Sequence, residues 1–442
     1  MNAPQAPAHE EPRPQPRSSL FGTVGAAMEW YDFTLYVFLA PVIGRLFFPS
    51  GSSIDSLLAT FGVFAAGYLM RPLGAAVIGN YGDTRGRKAA LGLSISMMAG
   101  AMLLIGMLPT EGSIGILAPA ALVTLRLVQG FSLGGEFSGS IVLLQESAPP
   151  LRRGFITNLV QISTGAGLLL SSGTVTLLNS LLTDAQMNDY GWRIPFFMGA
   201  AIGAVALVLL RTKVVETEVS GDETGEPEEI PIKEVFHTER GPLIINFLLN
   251  GYQALIYYVV ATFVPTFVTS IIKGPQDDAL LASTIAALLF MLLCPPAGAW
   301  SDRVGRKPVL LVGAVAMAIG GLPLFLLISQ NTFVAILGAQ IILITIVVIF
   351  TSPALVVATE LFNDRTRYTG VAVGYNLGAA VFGGPAPLIA TGLVSLTGYD
   401  QAPGVLLAVA SLLILLVLRR TPETAPARLA QAGSPSAASA AS

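Results

Sequence analysis

The chain has 442 residues, of which 53% are hydrophobic and only 12% charged, with a formal net charge of −3 and a mean hydropathy of +0.69. A soluble domain carries about 25% charged residues, so half that share points to lipid rather than to a large aqueous core. One cysteine, Cys294, excludes an internal disulfide framework; two histidines far apart, His9 and His237, exclude a histidine metal cluster; and no Gly-x-x-x-x-Gly-Lys-Ser/Thr sequence offers a phosphate loop for ATP.

A membrane-crossing helix needs about 20 apolar residues. Twelve segments qualify, at about 20–44, 57–79, 89–108, 116–140, 155–180, 191–210, 242–271, 279–299, 309–328, 333–358, 368–392 and 403–418. Alternating sides of the bilayer places 19 of the 24 Lys and Arg residues on the side of the two termini. The positive-inside rule therefore predicts a multi-pass protein of the cytoplasmic (inner) membrane with both termini cytoplasmic. The expected units are a Pro-rich disordered tail over 1–18 without a signal-peptide pattern, a bundle over 19–210, a linker over 211–241, a second bundle over 242–420, and an Ala/Pro/Ser-rich disordered tail over 421–442.

The first span contains Glu29-Trp-Tyr-Asp-Phe33. At about 100° per residue Glu29, Asp32 and Tyr36 share one face, and Asp32 falls roughly 18 Å along the helix. A carboxyl at that depth faces a polar cavity or sits in a structural ion pair. The second span runs through Arg71-Pro-Leu-Gly74, read as packing or inner-gate residues, into Gly79-Asn-Tyr-Gly-Asp-Thr-Arg-Gly-Arg-Lys88. Gly298-Ala-Trp-Ser-Asp-Arg-Val-Gly-Arg-Lys307 repeats that stretch 219 positions later (298 − 79). A charged turn repeated at half the chain length implies two homologous halves. Asp83 suits the donors at a helix N-terminus and Arg87 an acidic partner across the interface, although a topogenic basic loop explains the same residues.

In the fourth span Arg126, Gln129, Leu133, Glu136 and Ser140 lie within an arc of about 80°. A guanidinium roughly 15 Å deep requires a protein carboxylate, a substrate anion, or each in turn. The fifth span offers a polar, small-residue face with Asn158 and Gln161, fitting either cavity lining or helix packing; Trp192 opens the sixth at the depth of interfacial aromatics. The acidic linker ends in Pro231–Phe236, whose apolar spacing fits a short surface helix. On the seventh span Asn246, Asn250, Gln253 and Tyr257 form one stripe, fitting a wet cavity, a polar ligand or inter-helix hydrogen bonds. The eleventh carries Tyr375-Asn376 and a glycine-rich run through Gly383-Gly384. No nucleophile–base pair and no metal-ligand set appears, which argues against an enzyme.

The repeated Gly-x-x-x-Asp-x-x-Gly-Arg-Lys stretch and the Arg126-x-x-Gln-Gly of the fourth span resemble signatures of the major facilitator superfamily. Glu29-Trp-Tyr-Asp-Phe33, Leu69-Met-Arg-Pro-Leu-Gly74, Gly130-Phe-Ser-Leu-Gly-Gly-Glu136 and Gly191-Trp-Arg-Ile-Pro-Phe196 resemble its metabolite:proton symporter branch, which includes permeases for citrate, α-ketoglutarate, shikimate and proline/betaine. The resemblance covers about residues 20–420 and implies an all-α membrane protein of 12 transmembrane helices in two pseudo-symmetric six-helix bundles, with spans 1, 4, 7 and 10 lining the path. It also implies that Gly79, Asp83, Arg87, Gly298, Asp302 and Arg306 form an inner gate. The proline/betaine type resembles this region with a lysine in place of Arg126, and carries a heptad-bearing tail that this chain lacks, which counts against an osmosensor.

Together these readings predict a proton-coupled importer of a small organic acid (a mono-, di- or tricarboxylate, shikimate-like or aromatic) working by alternating access as a monomer in the lipid bilayer. Arg126 would hold the carboxylate, with Tyr36, Gln129, Gln161, Asn250, Gln253, Tyr257 and Asn376 around the substrate. Asp32, then Glu136 and Glu29, would carry the coupling proton, with protons as the coupling ion, no other cofactor, no metal and no nucleic acid. A proton-coupled betaine/proline carrier and a non-transporting sensor are the alternatives.

Overall fold

In a computed structural model the structure describes residues 16–85, 87–133, 136–213, 235–363 and 365–431; the side chains of 16–25, 82–84, 87, 136, 213 and 430–431 are outside the description. Among the described residues every regular element is a helix. We number the long ones α1 (Pro16–Phe38), α2 (Ser53–Tyr81), α3 (Lys88–Met107), α4 (Leu117–Glu146), α5 (Pro150–Leu181), α6 (Gly191–Thr212), α7 (Arg240–Ile271), α8 (Gln276–Val304), α9 (Arg306–Ile328), α10 (Phe333–Glu360), α11 (Arg367–Thr397) and α12 (Ala402–Arg420). The eleven from α2 onward are each long and apolar enough to cross a membrane, and α1 occupies the first predicted span. Exposed apolar side chains such as Leu103, Val208, Ile319 and Leu412 cover the outside, as lipid contact requires.

The helix pairings repeat with an offset of six. Helix α1 packs on α5 and α6 as α7 packs on α11 and α12; α2 packs on α4 as α8 on α10; α3 packs on α4 and α6 as α9 on α10 and α12. Two six-helix halves with the same internal arrangement are the structural counterpart of the sequence repeat. They meet chiefly where α5 lies along α8 and where α2 lies along α11.

Several helices overrun their predicted ends, and the repeated charged stretch shows why. Gly298–Val304 was expected to be a turn, but it is the last part of α8; the chain breaks only at Gly305, whose φ of 111° suits glycine, and α9 resumes at Arg306. The Asp302–Arg306 ion pair, 2.7 Å long across four residues, bridges that break. Trp192 also departs from expectation. It is fully buried, with Phe47 and Phe196 edge-on at 5.4 and 6.1 Å, so its ring serves the bundle interior rather than the lipid interface. Residues 214–234 of the linker, with most of the expected surface helix, lie outside the described residues; Val235, just beyond them, is buried against Val142, Leu243, Phe362 and Val371.

Both ends of the bundle are closed. At the end carrying the repeated motif, Asp302 accepts hydrogen bonds from the Gly154 and Phe155 amides (2.8 and 3.0 Å), Asn158 Nδ2 donates to the Ser352 carbonyl (2.9 Å), and Arg367 pairs with Glu146 (3.2 Å). Helices α5 and α8 approach so closely there that a Cβ at Gly298 would collide with the Gly154 carbonyl. At the opposite end Gln276 Nε2 donates to Asn179 Oδ1 (2.7 Å), Thr176 and Thr284 share a hydrogen bond (3.0 Å), and Phe61 meets Phe263 with ring centroids 5.9 Å apart.

Candidate functional site

Between the closed ends lies a central cavity of about 10 Å³, room for roughly one water. Each half contributes to its wall: Trp30 from α1, Tyr68 and Arg71 from α2, Gln161 and Thr164 from α5, Gln253, Tyr257 and Tyr258 from α7, Phe290 from α8, and Tyr375 from α11. The local backbone favours this arrangement. Tyr258–Phe263 of α7 and Ala379–Gly383 of α11 are π-helical, so the stretches bearing Tyr258 and Ala379 are wound wider than an α-helix just where they reach the cavity.

The polar atoms of this wall are poorly satisfied. Trp30 Nε1, Arg71 Nε, Gln161 Oε1, Thr164 Oγ1, Gln253 Oε1 and the Tyr257 hydroxyl are all buried without a hydrogen-bond partner. Leaving one such group unpaired costs about 1–3 kcal/mol, and a cluster of them in one place marks a surface that a polar ligand completes.

Two arginine–carboxylate pairs stand beside the cavity, both on the face of α1. Arg126 Nη1 reaches both oxygens of Asp32 at 3.3 Å and Gln129 Oε1 at 2.9 Å, while Gln129 Nε2 donates to Asp32 at 2.7 Å. The guanidinium lies 4.2 Å from the centroid of the Tyr36 ring, and the Tyr36 hydroxyl donates to the Thr60 carbonyl (3.3 Å). One turn along α1, Glu29 pairs with Arg71, which also sits 5.0 Å from the centroid of Tyr68. Phe33 lies between the pairs, with Arg126 at 5.2 Å and Arg71 at 5.6 Å from its ring centroid. All four charged groups are at most 2% exposed.

The residues expected to surround the substrate are thus divided. Gln161, Gln253 and Tyr257 line the cavity. Arg126, Gln129, Asp32 and Tyr36 form a network of their own, in which Arg126 Nε stays buried without a partner, and are absent from the cavity wall. Asn246 and Asn250 share a face with Gln253 and Tyr257 but lie further down α7: Asn246 Nδ2 donates to the Gly370 carbonyl of α11 (2.9 Å) and Asn250 Nδ2 to Asn246 Oδ1 (2.5 Å). Asn376 Nδ2 turns back on the Ala372 carbonyl (2.9 Å), and it is the adjacent Tyr375 that reaches the cavity. Asp302 and Arg306 stand at the closed motif end with Gly298, Arg306 also meeting Ser301 Oγ (2.7 Å) and Glu360 (3.4 Å). Gly79 is exposed near the end of α2, and the side chains of Asp83, Arg87 and Glu136 lie outside the described residues. Sequence reasoning read Arg71 as a packing or inner-gate residue and gave Trp30, Tyr68, Tyr258, Phe290 and Tyr375 no site role, whereas all six line the cavity; the signal available for Arg71 was Glu29, an intramembrane carboxylate in need of a cation.

The family profile described as Major Facilitator Superfamily matches residues 22–384, with a second match over 255–441. The chain belongs to that superfamily. Within it, the chain is 33% identical over 398 residues to the citrate-proton symporter of Klebsiella pneumoniae, with 89% of each chain covered, and 35% identical over 387 residues to the shikimate transporter of Escherichia coli (strain K12), covering 86% of this chain and 88% of that one. It is 31% identical over 414 residues to the proline/betaine transporter of the same strain, covering 91% and 82%. Its fold matches the crystal structure of a D-xylose-proton symporter with a TM-score of 0.73 at 20% identity, over 92% of this chain and 98% of that one. These members of the superfamily are transporters rather than enzymes, and the chain is accordingly a multi-pass membrane protein of a proton-coupled transporter family, as its motifs implied.

Proposed function

We propose that the protein is a secondary active transporter that imports a small organic acid together with protons, through alternating access to the central cavity. The observation that carries this reading is the cavity itself: closed at both ends, shared by both halves, and walled by buried polar atoms without partners, beside two buried ion pairs. Relatives named for citrate and for shikimate make organic acids the favoured substrate class.

The roles divide by geometry. Asp32, held by Arg126 and Gln129 outside the cavity, is the coupling group. Protonation there removes the charge that Arg126 compensates and loosens α1 from α4, so proton occupancy biases the rocking of the halves. Gln161, Gln253 and Tyr257 hydrogen-bond the substrate. The contacts of Asp302 with α5 form the inner gate, which the positive-inside rule places on the cytoplasmic face, with both termini and in the inner membrane. Uptake of labelled acids into proteoliposomes under an inward proton gradient tests the reading. Accumulation that a protonophore collapses supports it, and substrate binding without flux would instead support a sensor.

A further inference from the structure

The two ion pairs beside the cavity are not equivalent, and the difference suggests what the cavity takes. Both Asp32 oxygens are within reach of Arg126, and Gln129 donates to one of them as well. Glu29 meets Arg71 through one oxygen only, and its other oxygen, Oε2, is buried with no partner; the Nε atoms of Arg71 and Arg126 both lack one, so the pairs differ in their carboxylates. Arg71 belongs to the cavity wall and Arg126 does not. The half-used pair is therefore the one a ligand can reach.

Beside Gln161, Thr164, Gln253 and two alanines, the rest of the wall is aromatic. Trp30, Tyr68, Tyr257, Tyr258, Phe290 and Tyr375 supply six rings, with Trp30 to Tyr257 at 5.2 Å and Tyr257 to Phe290 at 5.2 Å between centroids, both edge-to-face. In this closed state the cavity has room for about one water; when the halves part enough to admit a ligand, such rings accept a flat or cyclic body by stacking and edge contacts. One guanidinium suits one carboxylate. A tricarboxylate would bring charges for which the wall offers no further cation, and a quaternary ammonium, although drawn to aromatic faces, would have to share the cavity with Arg71.

We propose that Arg71 is the anion clamp of this cavity, that its ligand is a ring-bearing monocarboxylate, and that the ligand carboxylate takes the place of Glu29 on the guanidinium. This rests on the transport reading above and sharpens its substrate class. The exchange balances in charge. A proton from the aqueous side binds Glu29 Oε2, forming a neutral carboxylic acid, and the Arg71 guanidinium passes from Glu29 to the incoming carboxylate, so the site is neutral before and after. The groups that face Glu29 are Arg71 and the Tyr68 hydroxyl from α2 and the Tyr375 hydroxyl from α11; Tyr258 of α7 faces Arg71, Asp32 and Arg126 lie one turn away, and Gln161 and Thr164 from α5 are neutral.

The test is equilibrium binding to the purified full chain with radiolabelled 4-hydroxybenzoate and shikimate as probes, competed by citrate and betaine, across pH 5 to 8. In the wild type a ring acid should bind at least tenfold more tightly than citrate or betaine, and more weakly as pH rises. Glu29→Gln should retain binding and flatten its pH dependence, whereas Arg71→Gln should lose at least a hundredfold in affinity. The double variant Glu29→Gln/Arg71→Gln removes both charges together, so its thermal midpoint separates a folding defect from loss of the clamp. Tightest binding of citrate or betaine would overturn the inference, as would a pH dependence unchanged in Glu29→Gln, or loss of binding in Arg126→Gln but not in Arg71→Gln. Gradient-driven uptake of citrate alone would sink this inference while leaving the transport reading standing; binding of a ring acid without any flux would do the reverse.

Discussion

A single methyl group placed at Gly298 should open the gated end of the transporter. A Cβ there would collide with the Gly154 carbonyl and stand 2.7 Å from Asn158 Nδ2. Restoring ordinary contact requires α5 and α8 to part by about 1 Å, since non-bonded atoms settle at roughly 3.5 Å. That movement would stretch the Asp302 bonds to the Gly154 and Phe155 amides, now 2.8 and 3.0 Å, beyond hydrogen-bonding range. Each is a bond to a charged acceptor, of order 1.5–3 kcal/mol, so the closed arrangement loses about 3–6 kcal/mol. A shift of about 5.5 kcal/mol carries a two-state equilibrium from 99:1 to 1:99. The chain supplies its own reporter: Cys294, its one cysteine, is fully buried one helical turn from Gly298, with its carbonyl accepting from Ser352 Oγ (3.1 Å). Maleimide labelling of Cys294 in Gly298→Ala should therefore be faster by about a hundredfold or more, with uptake reduced. A folded Gly298→Ala protein that labels at the wild-type rate would show that the α5–α8 contact is not what closes this end.

Other consequences concern separate parts of the molecule. Asp32→Asn keeps an acceptor for Arg126 but leaves its charge uncompensated; gradient-driven accumulation should vanish while substrate exchange down its own gradient persists, and a variant that still concentrates substrate would remove Asp32 from coupling. Gln253→Ala and Tyr257→Phe each delete one cavity hydrogen bond, worth about 1 kcal/mol, and should raise the half-saturation concentration roughly fivefold. Asn246→Ala should instead lower the thermal midpoint and leave half-saturation unchanged, because its side chain ties α7 to the Gly370 carbonyl and does not reach the cavity. Arg193 Nη1 holds the carbonyls of Gly106 and Leu108 at 2.8 and 2.7 Å, near the end of α3; Arg193→Ala should cost about 1–3 kcal/mol in denaturant unfolding without changing substrate preference.

The fold was largely legible because it rests on signals that survive in one dimension. From the second onward each predicted span lies within one long helix to within a residue or so, while the first, 20–44, crosses the break at Leu39 that ends α1; the repeated motif announced the offset-of-six packing that relates α1–α5 to α7–α11. The site was legible only by face. A helical wheel places Asn246, Asn250, Gln253 and Tyr257 on one stripe, but it carries no depth, and depth decides that Asn246 joins α11 and Asn250 joins Asn246 while the last two meet the cavity. It placed Glu29, Asp32 and Tyr36 together without naming partners. Arg126 drew attention as a deep cation, while Arg71, close to a charged motif, read as part of a gate. In the structure Arg71 directly follows a one-residue turn at Met70 within α2, and there Glu29 meets it. The aromatic lining comes from five different helices, and no local pattern assembles it.

The most direct test of the whole account is uptake of labelled shikimate, 4-hydroxybenzoate, citrate, α-ketoglutarate, betaine and proline by proteoliposomes with an imposed inward proton gradient. The account predicts that an organic acid accumulates above its external concentration and that a protonophore abolishes the accumulation. Accumulation of betaine or proline alone, or uptake of an acid that ignores the proton gradient, would contradict it.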